Sequence, residues 1–112
     1  VSAAFHSKIM QNAQDLLSEQ IDKLNFNSNL INIISNYNAE ISNDSFFLKQ
    51  SLQKQMANKV NWTKSVKKLE EYGETKIIEI GPNKVLSGLI KRISNKFDIE
   101  TINKISDLKK YK

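Results

Sequence analysis

Residues 76 to 92 constrain this chain more than any other stretch. The β-branched run Lys76-Ile77-Ile78-Glu79-Ile80 stops at Gly81-Pro82, and Asn83-Lys84-Val85-Leu86-Ser87-Gly88-Leu89-Ile90-Lys91-Arg92 follows with apolar residues at helical spacing. A short run rich in β-branched residues reads as a covered strand, and the Gly-Pro pair ends it because Pro has no N–H to give to a sheet ladder. The segment is therefore a strand turning sharply into a helix. Such a helix must bury its stripe, here Val85, Leu86, Leu89, Ile90 and Ile93, against a sheet, which leaves Lys84, Lys91 and Arg92 toward solvent.

The remaining sequence alternates helical and strand patterns and shows no internal repeat. A first helix is predicted over residues 7 to 24, with Ser7 as its N-cap and Ile9, Met10, Ala13, Leu16, Leu17, Ile21 and Leu24 on one face. Leu30-Ile31-Asn32-Ile33-Ile34-Ser35 reads as a strand in a covered sheet, and residues 36 to 43 as a loop. Asp44-Ser45 caps a helix running to about Met56. Another begins near Asn61-Trp62 and stops at Tyr72-Gly73; Trp62 is its packing anchor, the indole N–H meeting a carbonyl. A weaker strand at residues 99 to 102 precedes a frayed, Lys-rich tail. The alternation predicts an α/β fold.

Composition excludes several kinds of chemistry. The chain has 112 residues, a formal charge of +5, one histidine and no cysteine. Disulfides and thiolate nucleophiles are ruled out, and one His without acidic clustering predicts no metal centre. Apolar runs fall far short of a membrane span, and the absence of a targeting segment before the first helix predicts a cytoplasmic protein with no membrane partner. The basic residues are nearly all Lys, interspersed with acids, so no nucleic-acid partner is expected; attraction of an acidic protein is the functional reading of the charge.

His6 lies in Ser2-Ala3-Ala4-Phe5-His6-Ser7-Lys8-Ile9-Met10, where the first helix begins. Two roles fit a lone imidazole there: a structural ring capping a turn, or a general base that takes the proton of a hydroxyl nucleophile. No acid lies nearby in sequence before Asp15 to orient such a base.

Four pieces of the chain together resemble the malonyl-CoA:acyl-carrier-protein transacylases. They are Val1-Ser2-Ala3-Ala4-Phe5-His6-Ser7, then Ile34-Ser35-Asn36, then Gln55-Met56 with Val60-Asn61-Trp62-Thr63-Lys64-Ser65-Val66, and finally Ile78-Glu79-Ile80-Gly81-Pro82 through Arg92. Order and approximate spacing both fit. The resemblance implies that residues 1 to 112 are the carboxy-terminal part of an acyltransferase domain, beginning inside a strand: a partial parallel sheet with flanking helices from an α/β-hydrolase-like core. The family's nucleophilic Ser, in a Gly-His-Ser-Leu-Gly elbow, and its malonate-binding Arg are absent from this sequence.

Several roles follow from the resemblance alone. His6 is the general base of a ping-pong malonyl transfer from CoA to Ser and then to the carrier thiol, and the main-chain carbonyl of Gln55 orients it. Phe5 either excludes branched acyl groups or is simply a core aromatic at the strand end. Lys84, Lys91 and Arg92 are contacts for acyl carrier protein. Malonyl-CoA and the phosphopantetheinyl carrier are substrates, with no further cofactor or metal, and the intact enzyme is expected to be monomeric. The Gly81-Pro82-Asn83-Lys84 turn serves either chain reversal or, through helix amides and Lys84, a phosphate; the family usually has Gly at the place of Asn83, and Asn is the residue best able to replace Gly at positive φ. The competing reading is a noncatalytic module that binds an acidic protein such as acyl carrier protein. If strands have lost their neighbours, the isolated chain is expected to be marginally stable and prone to associate.

Overall fold

The computed structural model describes residues 3–112, so the strand expected at Val1 and Ser2 lies outside the described residues. The chain divides into two compact units, Val1–Ser65 and Val66–Lys112.

In the first unit a 3-10 turn, Lys8–Met10, leads into helix α1 (Gln11–Asp22). Ser7 precedes the turn but does not cap it; its hydroxyl donates to the Ala4 carbonyl at 2.6 Å. Helix α1 packs on α2 (Ser45–Lys54). Lys49 Nζ donates to the carbonyls of Asp22 (2.8 Å) and Leu24 (3.0 Å), and Gln53 Nε2 donates to the Ser18 carbonyl (3.2 Å) and Asp22 Oδ1 (2.7 Å). The ammonium sits at the carboxyl end of α1, where the helix dipole favours a cation. Asp44 is the expected cap of α2, its Oδ1 accepting from Phe47 N at 2.7 Å.

Two expectations for this unit need correction. Of the apolar face assigned to α1, Ile21 is buried whereas Leu16, Leu17 and Leu24 are exposed. The strand expected over residues 30 to 35 shrinks to β1 (Ile33–Ile34), and it pairs antiparallel with β2 (Ile41–Ser42) inside the segment read as a loop. Asn29 explains the shortening. Its side-chain oxygen accepts from Ile31 N at 2.7 Å, and this Asx turn withdraws Leu30 and Ile31 from any ladder. Leu30 is fully exposed.

Helix α3 (Trp62–Glu71) carries the chain from one unit into the next. The carbonyl expected for Trp62 is missing: among the described residues its buried Nε1 has no hydrogen-bond partner. Gly73, at φ 82°, ends the helical segment as its freedom at positive φ allows.

The second unit is the predicted strand-turn-helix with a parallel partner. Strand β3 (Lys76–Ile80) pairs with β4 (Asp98–Ile102) in the register Lys76↔Asp98 to Ile80↔Ile102, joined by α4 (Val85–Ile93), which packs on β4. A parallel pair requires such a crossover. The stripe of α4 is covered only in part: Ile90 is buried, whereas Val85, Leu86 and Leu89 are exposed, as are Ile78 and Ile80 on one face of β3.

The tail is not frayed. It forms a 3-10 helix, Ile105–Tyr111, tied to β4 through Glu100, which accepts the Tyr111 hydroxyl and lies 2.7 Å from both Lys110 Nζ and Lys76 Nζ. Hydrogen bonds from Lys110, then Lys76 and Tyr111, hold the Glu100 carboxyl at a pKa of about 2.

Candidate active site

Residue 6 is fixed by two bonds to consecutive carbonyls just past α2. His6 N donates to Met56 O at 2.8 Å, and His6 Nδ1 lies 2.9 Å from Gln55 O. The backbone at His6 is left-handed, φ 62°, a conformation that costs an ordinary L residue about 1 kcal/mol. A carbonyl only accepts. Nδ1 must therefore carry a proton in this contact, which in the neutral ring leaves the lone pair on Nε2. The imidazole is exposed, and among the described residues Nε2 has no partner.

This arrangement can remove a proton from a hydroxyl brought to Nε2. It differs from a ring held by a carboxylate in one respect: the carbonyl fixes the tautomer but supplies no full charge to stabilise imidazolium. Asp15, the nearest acid in sequence, is engaged elsewhere, accepting from Gln11 Nε2 at 2.8 Å. Phe5, beside His6, is exposed over 45% of its surface. Gln55 also borders an apolar cleft of about 270 Å³ shared with Phe26, Ile33, Ile34, Leu48 and Leu52. The loop after α2 has a further partner that the sequence pattern did not reveal: Gln14, buried on α1, accepts from Ala57 N at 2.8 Å through Oε1.

At the start of α4 the two readings of the turn can be compared directly. Asn83 stands at φ 73°, as a replacement for Gly would. Two of the helix amides, however, are already occupied. Glu79 on β3 accepts from Leu86 N (3.0 Å), Ser87 N (2.8 Å) and the Ser87 hydroxyl, and these bonds, the hydroxyl's foremost, hold its carboxyl below the usual range. These bonds tie the turn to β3 and take two of the amides that a phosphate would otherwise meet. The cue was present in the sequence as an acid inside an apolar strand, eight residues before the serine it binds.

The structure does not gather Lys84, Lys91 and Arg92 into one place. All three are exposed, but Lys84 precedes α4 while Lys91 and Arg92 lie in its last turn, about 10 Å along the axis at 1.5 Å per residue. Lys84 instead borders an open cleft of about 460 Å³ with Thr101, Asn103, Lys104, Asp107 and Lys110. Among the described residues no group of three or more His, Cys, Asp or Glu side chains is placed to hold a metal ion, and no helix is long and apolar enough to cross a membrane.

No protein-family model matches the chain. Individual relatives do. Over 95 residues it is 44% identical to the polyketide biosynthesis protein PksE of Bacillus subtilis, an alignment covering 85% of this chain and 12% of that protein. Over 96 residues it is 36% identical to the malonyl CoA-acyl carrier protein transacylase of the same organism, covering 86% and 30% respectively. Among solved structures, the malonyl-CoA:ACP transacylase of Synechocystis superposes with a TM-score of 0.93 at 32% identity, over 98% of this chain and 38% of the other. A malonyl-transacylase in complex with its type II PKS acyl-carrier protein superposes with a TM-score of 0.89 at 30% identity, over 96% and 35%. The chain thus spans about a third of the length of the curated transacylases it matches.

Proposed function

From a chain that is homologous over nearly all its length to about a third of the malonyl CoA-acyl carrier protein transacylases, we propose that residues 1 to 112 are the carboxy-terminal part of an acyltransferase domain and supply its general base, His6. The observation that carries this reading is the His6 Nδ1 to Gln55 O contact of 2.9 Å, which commits the ring to the tautomer with a free Nε2 lone pair.

With a serine supplied by the rest of the protein, the steps balance as follows. Nε2 takes the serine hydroxyl proton as Oγ attacks the malonyl thioester carbon; the tetrahedral intermediate collapses, the C–S bond breaks, and imidazolium returns the proton to the CoA sulfur. In the second half the phosphopantetheine thiol gives its proton to Nε2 and attacks the malonyl ester. The serine then recovers its proton from the ring as the C–O bond breaks. The ring is what this chain is proposed to contribute to the cycle. Neither half-reaction calls for a cofactor beyond the two substrates, and a cytoplasmic location suits both.

Phe5, adjacent to His6, is assigned to selection of malonyl over branched acyl groups, since a bulky ring beside the base would exclude a branched acyl chain sterically. Lys84, Lys91 and Arg92 are assigned to attraction of acyl carrier protein; their exposure and the formal charge of +5 support steering of an acidic partner. The test is intact-mass spectrometry of the full-length protein mixed with malonyl-CoA. A malonyl ester should form and be discharged by holo carrier protein, whereas residues 1 to 112 alone should acquire none. Failure of the full-length protein to accept malonyl, or malonylation of residues 1 to 112 by themselves, overturns the reading.

A further inference from the structure

We infer that Gln14 is a positioning residue for the His6 imidazole, acting through the loop that follows α2. This rests on the reading of His6 as the base and adds a residue of α1 to that site.

The peptide between Met56 and Ala57 is gripped at both of its polar ends. Its carbonyl accepts from His6 N at 2.8 Å, and its N–H donates to Gln14 Oε1 at 2.8 Å. The peptide before it, between Gln55 and Met56, presents the carbonyl that faces His6 Nδ1 at 2.9 Å. Because a peptide is planar, fixing the N–H of Ala57 fixes the direction of the Met56 carbonyl, and with it the anchor of the His6 backbone. One link further on, the direction of the Gln55 carbonyl decides which ring nitrogen carries the proton.

Burial makes this clamp consequential. Ala57 is 1% exposed and Gln14 is 7% exposed, so an Ala57 N–H that loses its acceptor cannot readily turn to water. The loop must then shift to find another partner, and both carbonyls that hold His6 shift with it. Gln14 touches neither the imidazole nor any reacting atom in this arrangement. Its effect is on which tautomer His6 adopts and how firmly.

His6 is the only histidine of the 112 residues, so its ring nitrogens can be read without ambiguity by long-range 1H–15N spectroscopy. At a pH where the ring is neutral, the chain should show predominantly the Nδ1–H tautomer. Gln14→Met, which keeps the side-chain volume but has no oxygen acceptor, should give a mixture of tautomers, and Gln14→Glu, which keeps an acceptor at the same distance along the side chain, should restore the original one. In the full-length protein the same pair should lower kcat by roughly tenfold or more for Met with little change in KM, and recover it for Glu. An unchanged tautomer and kcat in Gln14→Met overturn the inference. So does equal damage from Met and Glu, which would mean that an acceptor at residue 14 is not what holds the loop. If His6 is not the base, His6→Ala leaves turnover intact while the tautomer still reports the clamp, so the two failures are distinguishable.

Discussion

The helix α4 contains five apolar residues that sequence periodicity treats alike, and the structure separates them. Ile90 is 3% exposed and Val85 is 63% exposed. Ile90→Ala removes buried atoms and leaves a cavity that neighbours fill only partly, at a cost of about 3 kcal/mol, whereas Ile90→Val removes one methylene for about 1 kcal/mol. Val85→Ala removes atoms that are mostly in water already, so its cost should stay within about 0.5 kcal/mol. The assay is urea unfolding of the 112-residue chain combined with hydrogen exchange of the α4 and β4 amides, which reads the second unit by itself. In the full-length protein, where the proposed reading covers the rest of the stripe, the Val85→Ala cost should rise to roughly 1–2 kcal/mol. Equal costs for Val85→Ala and Ile90→Ala in the 112-residue chain would show that burial is not what distinguishes the two positions.

Acid should loosen the tail. The Glu100 pKa lies at about 2, below its ordinary 4.5, so the stabilisation it provides is complete above the ordinary value and is lost as pH falls from there toward 2; exchange of the Ile105–Tyr111 amides should accelerate over that window, and Glu100→Gln should weaken the pH dependence, the remainder coming from Asp107, whose carboxyl is also held below its usual range by bonds from Asn103 N and Lys104 N. Asp44→Ala should destabilise α2 by about 1 kcal/mol through loss of the Phe47 N–H acceptor, measured by thermal unfolding; an unchanged midpoint would show that the cap contributes nothing. Exposed Ile78, Ile80, Val85, Leu86 and Leu89 in the second unit predict association of the isolated chain, visible as concentration-dependent light scattering, and a monodisperse monomer with a stability in the ordinary range of roughly 5–15 kcal/mol would contradict it.

Legibility in the sequence followed the locality of the signal. The unit from Lys76 to Ile93 was readable because a β-branched run, a Gly-Pro stop and a helical stripe are all local patterns. The short β1 was not, since the Asn29 turn that removes Leu30 and Ile31 from the ladder competes with a run of strand-favouring residues. Gln55 has no sequence signature of its own, because what meets His6 is a backbone carbonyl that every residue possesses; only the family resemblance singled it out. Gln14 escaped notice because a glutamine inside an amphipathic helix reads as solvated, and its partner, Ala57 N, is 43 residues away. Glu79 escaped for a related reason, as a capping residue is sought immediately before its helix and this one reaches in from the preceding strand.

His6, oriented by a main-chain carbonyl, is proposed as the base for malonyl transfer. Steady-state transfer from malonyl-CoA to holo carrier protein by the full-length protein, compared among wild type, His6→Ala and Gln55→Ala, tests it most directly. His6→Ala should lower turnover by roughly 10³-fold or more, the scale seen when the base of a serine–histidine pair is lost, while Gln55→Ala, which keeps the carbonyl, should do far less. Turnover of His6→Ala within about tenfold of wild type would contradict the claim, and equal losses from both substitutions would show that the Gln55 side chain, not its carbonyl, positions the ring.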